Sequence, residues 1–311
     1  MNGILARPRI LDLLATYNGE PWLDEQLASL LAQQNVDVDL LIGDDVSIDG
    51  TRDRLAAWCA QRPAARVVNW NKGSGSAGAN FRRLYLEADL WGYDYVALSD
   101  QDDVWLPHKL ERAVASLLGS GAHCYSCAVQ AFWPDGRSAV LPQAPTLRPA
   151  DFLFEGGGQG CTFVIRAAAF GRIQQFCRAH PIEANGLHYH DWLIYILARA
   201  WDLAWFFDPQ PMLRYRQHGG NEIGSRGGMG AVKRRLAMIK NGWYREQVRL
   251  ASAVYYKAGG ENPRALAIAA SVQPGRSLRQ RALLVLRVAR DGRRRFIDRA
   301  VLVGAVVLGW L

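Results

Sequence analysis

Between Ile10 and Leu118 the chain repeats one pattern four times: a short apolar run, a polar loop, then a segment with helical spacing of apolar residues. Ile10–Ala15 precedes Trp22–Gln34, Asp39–Gly43 precedes Thr51–Arg62, Arg66–Trp70 precedes Ala77–Ala88, and Tyr95–Ser99 precedes Pro107–Leu118. Short runs bounded by turn residues read as strands, and apolar residues such as Leu23, Leu27, Leu30 and Leu31 mark one face of a helix. Four such units predict an α/β fold: a mostly parallel sheet flanked by helices on both faces. In sheets of this kind ligands bind beyond the carboxyl ends of the strands, so the loops after Ala15, Gly43, Trp70 and Ser99 should converge.

The rest is less regular and predicts a mixed sheet. A strand is expected at His123–Val129, a turn at Pro134-Asp135-Gly136, a glycine run at Gly156–Gly158 and a strand near Thr162–Ile165. A helix at His190–Ala200 follows, then two strands, Leu203–Phe207 and Met212–Tyr215, flanking Pro209 and Pro211. The glycine-rich Gly219–Gly230 suggests a boundary between a domain of residues 1–225 and a basic helical region of 226–311, with helices at Val232–Lys257 and from Leu278 onward.

Charge divides at the same place. The first 225 residues hold 19 basic and 25 acidic side chains, and the remainder 18 and 4, so a net −6 meets a net +14. With half of its 311 residues hydrophobic, the chain has material for a large core, which excludes disordered and fibrous classes. The basic tail calls for a polyanion. Arg293-Arg294-Arg295 running into apolar Ala300–Leu311 favours an anionic membrane surface over nucleic acid, while a core helix or a contact with a second copy (a homodimer) is the structural alternative. That run is about half the roughly 20 residues that cross a bilayer. Five cysteines without disulfide spacing, and no apolar leader in Met1–Arg9, suggest a cytoplasmic protein; Cys124 and Cys127 read as buried thiols.

Three stretches carry chemistry. Tyr95–Ser99 ends in Asp100, Asp102 and Asp103, whose charges repel unless a cation such as Mg2+ or Mn2+ neutralises them. The alternative is a solvated turn in which Asp103 caps the next helix. Asp44 and Asp45 end the second strand and offer acceptors to a base or ribose, whereas Asp49, Gly50 and Thr51 suit a turn and cap. Gly73–Gly78 matches the dinucleotide fingerprint Gly-x-Gly-x-x-Gly and raises the alternative of an NAD(P)-dependent oxidoreductase, although it follows the third strand rather than the first.

Taken together, the residues resemble the family-2 glycosyltransferases with the GT-A (Rossmann-like) fold, in particular bacterial rhamnosyltransferase-like members. The resemblance rests on Ala15–Gly19, Asp44-Asp45 with Asp49–Thr51, Ser99–Trp105, Gly160-Cys161-Thr162, His190-Asp191-Trp192 and Tyr215–Gly219, and spans about residues 10–222. Gln159 departs from the threonine expected there. It implies a donor-binding part of about 1–105 and an acceptor-binding part of about 106–225. By resemblance, Thr16, Tyr17, Asn18, Asp44, Asp45, Asn80 and Gln101 would contact the nucleotide-sugar, and Asp100, Asp102 and His218 the metal and diphosphate. Gly160, Cys161, His190 and Trp192 would face the acceptor, and Asp191, also readable as a helix cap, would be the catalytic base. The implied reaction is an inverting, metal-dependent hexosyl transfer from dTDP-rhamnose, or alternatively a UDP-sugar. The acceptor would be a lipid-linked saccharide of a surface polysaccharide such as O-antigen or capsule, at the inner face of the bacterial inner membrane.

Overall fold

A computed structural model of the chain describes residues 6–219, 237–272 and 275–311. They form two compact units that interleave along the sequence: Met1–Gln143, Gly158–Ala179 and Leu203–Glu222 make the first, and Ala144–Gly157, His180–Asp202 and Ile223–Leu311 the second. Most of the glycine stretch expected as a boundary, residues 220–230, and the start of the helix expected from Val232 lie outside the described residues.

The first unit is built on a nine-stranded sheet. Strands β1 (Arg9–Thr16), β2 (Asp37–Asp44), β3 (Ala65–Asn69) and β4 (Tyr95–Asp100) run parallel in the order β3-β2-β1-β4. They alternate with α1 (Leu23–Leu31), α2 (Thr51–Cys59), α3 (Ala77–Glu87) and α4 (Lys109–Ser120). Every residue of β1 after Arg9 is buried, as a central parallel strand covered on both faces requires. Register sets Thr16 beside Asp44, Asp44 beside Asn69, and Ala15 beside Asp100, so these strands finish level.

The remaining strands give the mixed geometry expected. β6 (Cys124–Phe132) carries β7 (Ser138–Leu141) as a hairpin, and β8 (Val164–Arg166) lies antiparallel between β4 and β6. β9 (Trp205–Arg216) runs parallel to β6 and pairs on its other side with the short β5 (Val104–Trp105). The two strands expected around Pro209 and Pro211 are one. Proline cannot donate to a ladder, and the β6–β9 register slips between Cys127 and Gln130, opposite the prolines, which lets the strand continue past them. A helix not foreseen, α5 (Ala167–Ala179), buries Ala169, Phe170, Ile173, Phe176 and Cys177 at helical spacing.

The second unit contains α6 (Pro181–Gly186), α7 (His190–Ala200), α8 (Trp243–Lys257), α9 (Pro263–Ala269), α10 (Leu278–Asp291) and α11 (Phe296–Val307). Asn262 caps α9 through the amides of Arg264 and Ala265 with Pro263 behind it, and Ser277 with Gln280 forms a capping box on α10. Helix α7 is buried nearly all round, from Trp192 through Ala198. Asp151, wholly buried, accepts from Arg199 Nη1 at 2.5 Å and Tyr195 OH at 3.0 Å, with Arg294 Nε at 3.7 Å. Arg294 also donates to Glu155 and, at 2.6 Å, to the Gly156 carbonyl, while Arg293 donates twice to the Phe154 carbonyl. These two arginines, expected in a membrane-facing cluster, therefore turn inward, because irregular backbone between residues 151 and 156 needs donors for its carbonyls.

Candidate active site

The level strand ends of the first unit gather the acidic residues singled out above. Asp44 accepts from Thr16 Oγ1 (3.1 Å), Ser47 N (2.9 Å) and Ser47 Oγ (2.5 Å). Asp45 takes the Ser74 amide (2.6 Å) and hydroxyl (2.9 Å) and the Gly75 amide (3.2 Å), with Arg83 at 3.4 Å. Two amides of the Gly73–Gly78 turn are thus committed to a carboxylate of the chain itself, which weakens the reading of that turn as a dinucleotide-phosphate cradle. Asn80 is buried and fully used: Nδ2 reaches the Gly43 carbonyl at 2.7 Å and Oδ1 accepts from Trp70. It ties β2 to α3.

Tyr17 is held by a reciprocal clamp. Its amide donates to Gln101 Oε1 at 2.8 Å and its carbonyl accepts from Gln101 Nε2 at 2.9 Å, leaving the ring about half exposed beside the strand ends. A side chain at residue 19 would push Gln101 out of this clamp, since a Cβ there would fall 2.1 Å from Gln101 Oε1. Asn18, in the left-handed region at φ 47°, accepts from the Ile48 amide, so the first and second loops are laced together. Asp49 and Thr51 complete the lacing, accepting from the Glu20 and Gly19 amides.

The metal-ligand trio expected from the sequence is divided. Asp102 meets His218, with Nε2 to Oδ2 at 2.7 Å, and the imidazole stacks on Trp22 at 4.0 Å between centroids. Asp100 instead lies with Asp103 and Cys161, their ligand atoms all within 4.8 Å of one another. Asp103 does not cap the following helix, whose N-cap is His108; it is fully buried, receives the Arg216 amide at 3.4 Å on Oδ1, and its Oδ2 has no hydrogen-bond partner among the described residues. Burial first, then Asp102 and Asp100, holds its carboxyl well above the usual range. Cys161, expected to face the acceptor, is buried beside the acidic turn, its thiol pushed up by burial and by Asp103 and Asp100. Gly160 opens the same buried 3-10 turn.

A second layer of charge lies in the core of this unit, unannounced by any motif. Asp12 accepts from Ser99 Oγ at 2.6 Å, and burial pushes its carboxyl up to about 6 against that bond and the attraction of Lys109. Lys109 is itself fully buried. Its Nζ sits 3.1 Å from the Trp105 ring centroid without a hydrogen-bond partner among the described residues, and burial brings it down to about 8, opposed by Cys127, Asp12, Cys161 and Asp103.

In the second unit Asp191 stands in the first turn of α7, where the helix dipole favours a carboxylate. It is not the cap: the N-cap is Tyr189, and Asp191 Oδ1 accepts from the Trp192 amide at 2.7 Å. Gly156 backs onto it, since a Cβ there would lie 3.6 Å from Trp192 Cα and 3.8 Å from Asp191 Oδ2. Trp192 and His190 are buried, and the Trp192 indole donates to the Phe152 carbonyl and stacks near Tyr244. Trp192, expected to face the acceptor, has its indole N–H committed to the chain.

This architecture has close parallels. The chain is 36% identical over 243 residues, 78% of its length and 84% of the relative's, to the dTDP-rhamnosyl transferase RfbG of Shigella flexneri. Residues 1–349 of TarS from S. aureus, in complex with UDP-GlcNAc, superpose with a TM-score of 0.58 at 15% identity, covering 94% of this chain and 81% of that one. The mannosyltransferase PcManGT from Pyrobaculum calidifontis, in complex with GDP-Man and Mn2+, gives 0.52 at 17% identity, with 97% and 87% covered. Such distant structural likeness establishes the GT-A fold. The family model of Glycosyl transferase family 2 matches residues 13–173, and with the rhamnosyltransferase likeness over most of the chain it follows that this protein is a glycosyltransferase belonging to family 2.

Proposed function

We propose that the protein transfers rhamnose from dTDP-rhamnose, with inversion, onto a lipid-linked saccharide during assembly of a bacterial surface polysaccharide at the inner face of the inner membrane. The observation that carries the donor assignment is the likeness to a dTDP-rhamnosyl transferase over 78% of the chain. The exposed Tyr17 ring, fixed by Gln101, suits stacking on a pyrimidine, and Asp44 with Thr16 offers acceptors to its ribose or base edge. Thymine and uracil share that edge, so a UDP-sugar is the second reading.

The residues fit a divalent ion such as Mg2+ or Mn2+. Three carboxylates crowd one turn, and one buried oxygen of Asp103 has no hydrogen-bond partner among the described residues, which supports a cation there. Asp102 and His218, already paired, would hold the ion, with Asp100 joining them from its present place beside Asp103 and Cys161, and the ion when bound would neutralise charge on the departing diphosphate. The chain's own contribution is orientation and proton transfer. Trp22 and Arg216, the latter donating to the Asp102 carbonyl at 2.9 Å, fix the Asp102–His218 pair. Asp191 takes the proton from the acceptor hydroxyl as that oxygen attacks the anomeric carbon opposite the leaving group.

Calorimetric titration with dTDP, UDP and GDP, with and without Mn2+, tests the donor: dTDP should bind tightest, and a preference for GDP would refute the pyrimidine reading. Asp191→Asn should keep nucleotide binding and lose transfer by at least about 100-fold. Retained turnover would remove Asp191 as the base.

A further inference from the structure

Eight of the nineteen exposed large apolar side chains among the described residues fall between Leu278 and Leu308, a tenth of the chain. They are ordered. On α11 and its C-cap the exposed residues Ile297, Ala300, Val301 and Leu308, with Gly304 among them, follow i, i+3, i+4, i+7 and i+11 and form one row without a charge. The opposite face, Leu302, Ala305 and Val306, is buried. On α10 the outward row reads Arg279, Leu283, Leu286 and Arg290, all exposed, and Leu278 beside it is 81% exposed, while Leu284 and Val288 point inward. Each helix therefore has a core face and a second apolar face that nothing in the chain's described residues covers.

We propose that the α10–α11 hairpin is an in-plane membrane anchor, laying these two rows on an anionic phospholipid surface. Charge decides between a bilayer and a second copy of the chain. From Leu278 to Leu311 there are eight arginines and two aspartates. Arg293 and Arg294 turn inward, which leaves six arginines; of these Arg281, Arg287 and Arg299 donate to backbone carbonyls, which satisfies their hydrogen bonds without cancelling their charge, and Asp291 is already held by Arg264 and Arg290. Two such surfaces repel one another, whereas anionic headgroups complement both the arginines and the apolar rows. No helix among the described residues is long and apolar enough to cross a membrane. At 12 residues α11 spans about 18 Å, so it would lie along the interface.

The test is flotation of the full chain with vesicles of phosphatidylcholine alone or mixed with phosphatidylglycerol, in the absence of any sugar donor. The inference expects binding to the mixed vesicles only, weakened by salt. Ile297→Asp with Val301→Asp should lower that binding at least about tenfold, and the fully surface-directed Arg279→Glu should lower it as well should the double variant fold poorly. Equal binding to both vesicles, binding unchanged in every variant, or a dimer in solution that Ile297→Asp dissociates would overturn the anchor. Because no donor or acceptor is present, these outcomes leave the transferase reading untouched, and loss of transfer on a soluble acceptor would not touch the anchor.

Discussion

Replacing Asp151 by alanine should weaken the second unit severely. The carboxylate is fully buried and accepts from Arg199, Tyr195 and the Phe152 amide at 2.5, 3.0 and 2.8 Å. Its loss takes the shared carboxylate from two guanidiniums whose side chains are only 16% and 5% exposed, leaving Arg199 with the Tyr195 hydroxyl and the Arg148 carbonyl and Arg294 with Glu155 and the Gly156 carbonyl. Opposite unit charges about 4 Å apart at an effective dielectric of about 20 attract by ~4 kcal/mol, and breaking one side of a buried pair costs roughly 3–5 kcal/mol. Burial pushes the Asp151 pKa up despite both arginines, so desolvation offsets part of the attraction. The expected loss is therefore about 3 kcal/mol, a large share of an ordinary domain's stability. Asp151→Asn should lose less, because its amide oxygen still accepts. Urea unfolding followed by circular dichroism measures both, with a separate transition for each unit allowed in the fit. A loss below about 1 kcal/mol for alanine, or asparagine worse than alanine, would refute the buried-pair argument.

Two other substitutions probe the first unit. Asp12, pushed up to about 6 from an ordinary 3.8, favours the fold when protonated; that contribution is complete below about pH 4 and lost as pH rises through about 6, amounting to ~3 kcal/mol. Asp12→Asn should flatten the stability profile across that window, and a profile parallel to the parent's would show that Asp12 is not the titrating group. Asp45→Ala should release the Ser74 and Gly75 amides and cut local protection by about 2 kcal/mol, read as faster hydrogen exchange in residues 73–76; unchanged exchange would mean that the turn stands without its carboxylate.

The half of the fold that the sequence made legible is the half in which period and burial coincide. β1 is apolar because it is covered on both faces, and α1, α3 and α4 alternate because each has one core face, so the convergence of Thr16, Asp44 and Asp100 follows from strand order alone. What stayed illegible depends on partners far along the chain. Three carboxylates at one strand end look equivalent, yet Asp102 turns to His218, 116 positions away, while Asp103 sinks beside Cys161. Asn80 reads as a polar helix residue, and its bond to the Gly43 carbonyl, 37 positions earlier, leaves no mark in the local pattern. A run of three arginines reads as surface charge, and only the bare carbonyls of Phe154 and Gly156 explain why two of them turn inward.

That inward turn bears on how the polypeptide can be shortened. The stretch matched by the family stops at residue 173, which invites trimming everything after the last conserved-looking motif as dispensable. A fragment ending near residue 225 would lack Arg293 and Arg294, the Gln247 side chain that receives the His188 amide, and the Tyr244 ring beside Trp192. The helix bearing Asp191 would then emerge with a greasy flank bare to water and two uncapped carbonyls behind it. Such a truncated product should clump during purification, and its inactivity would say nothing about the chemistry.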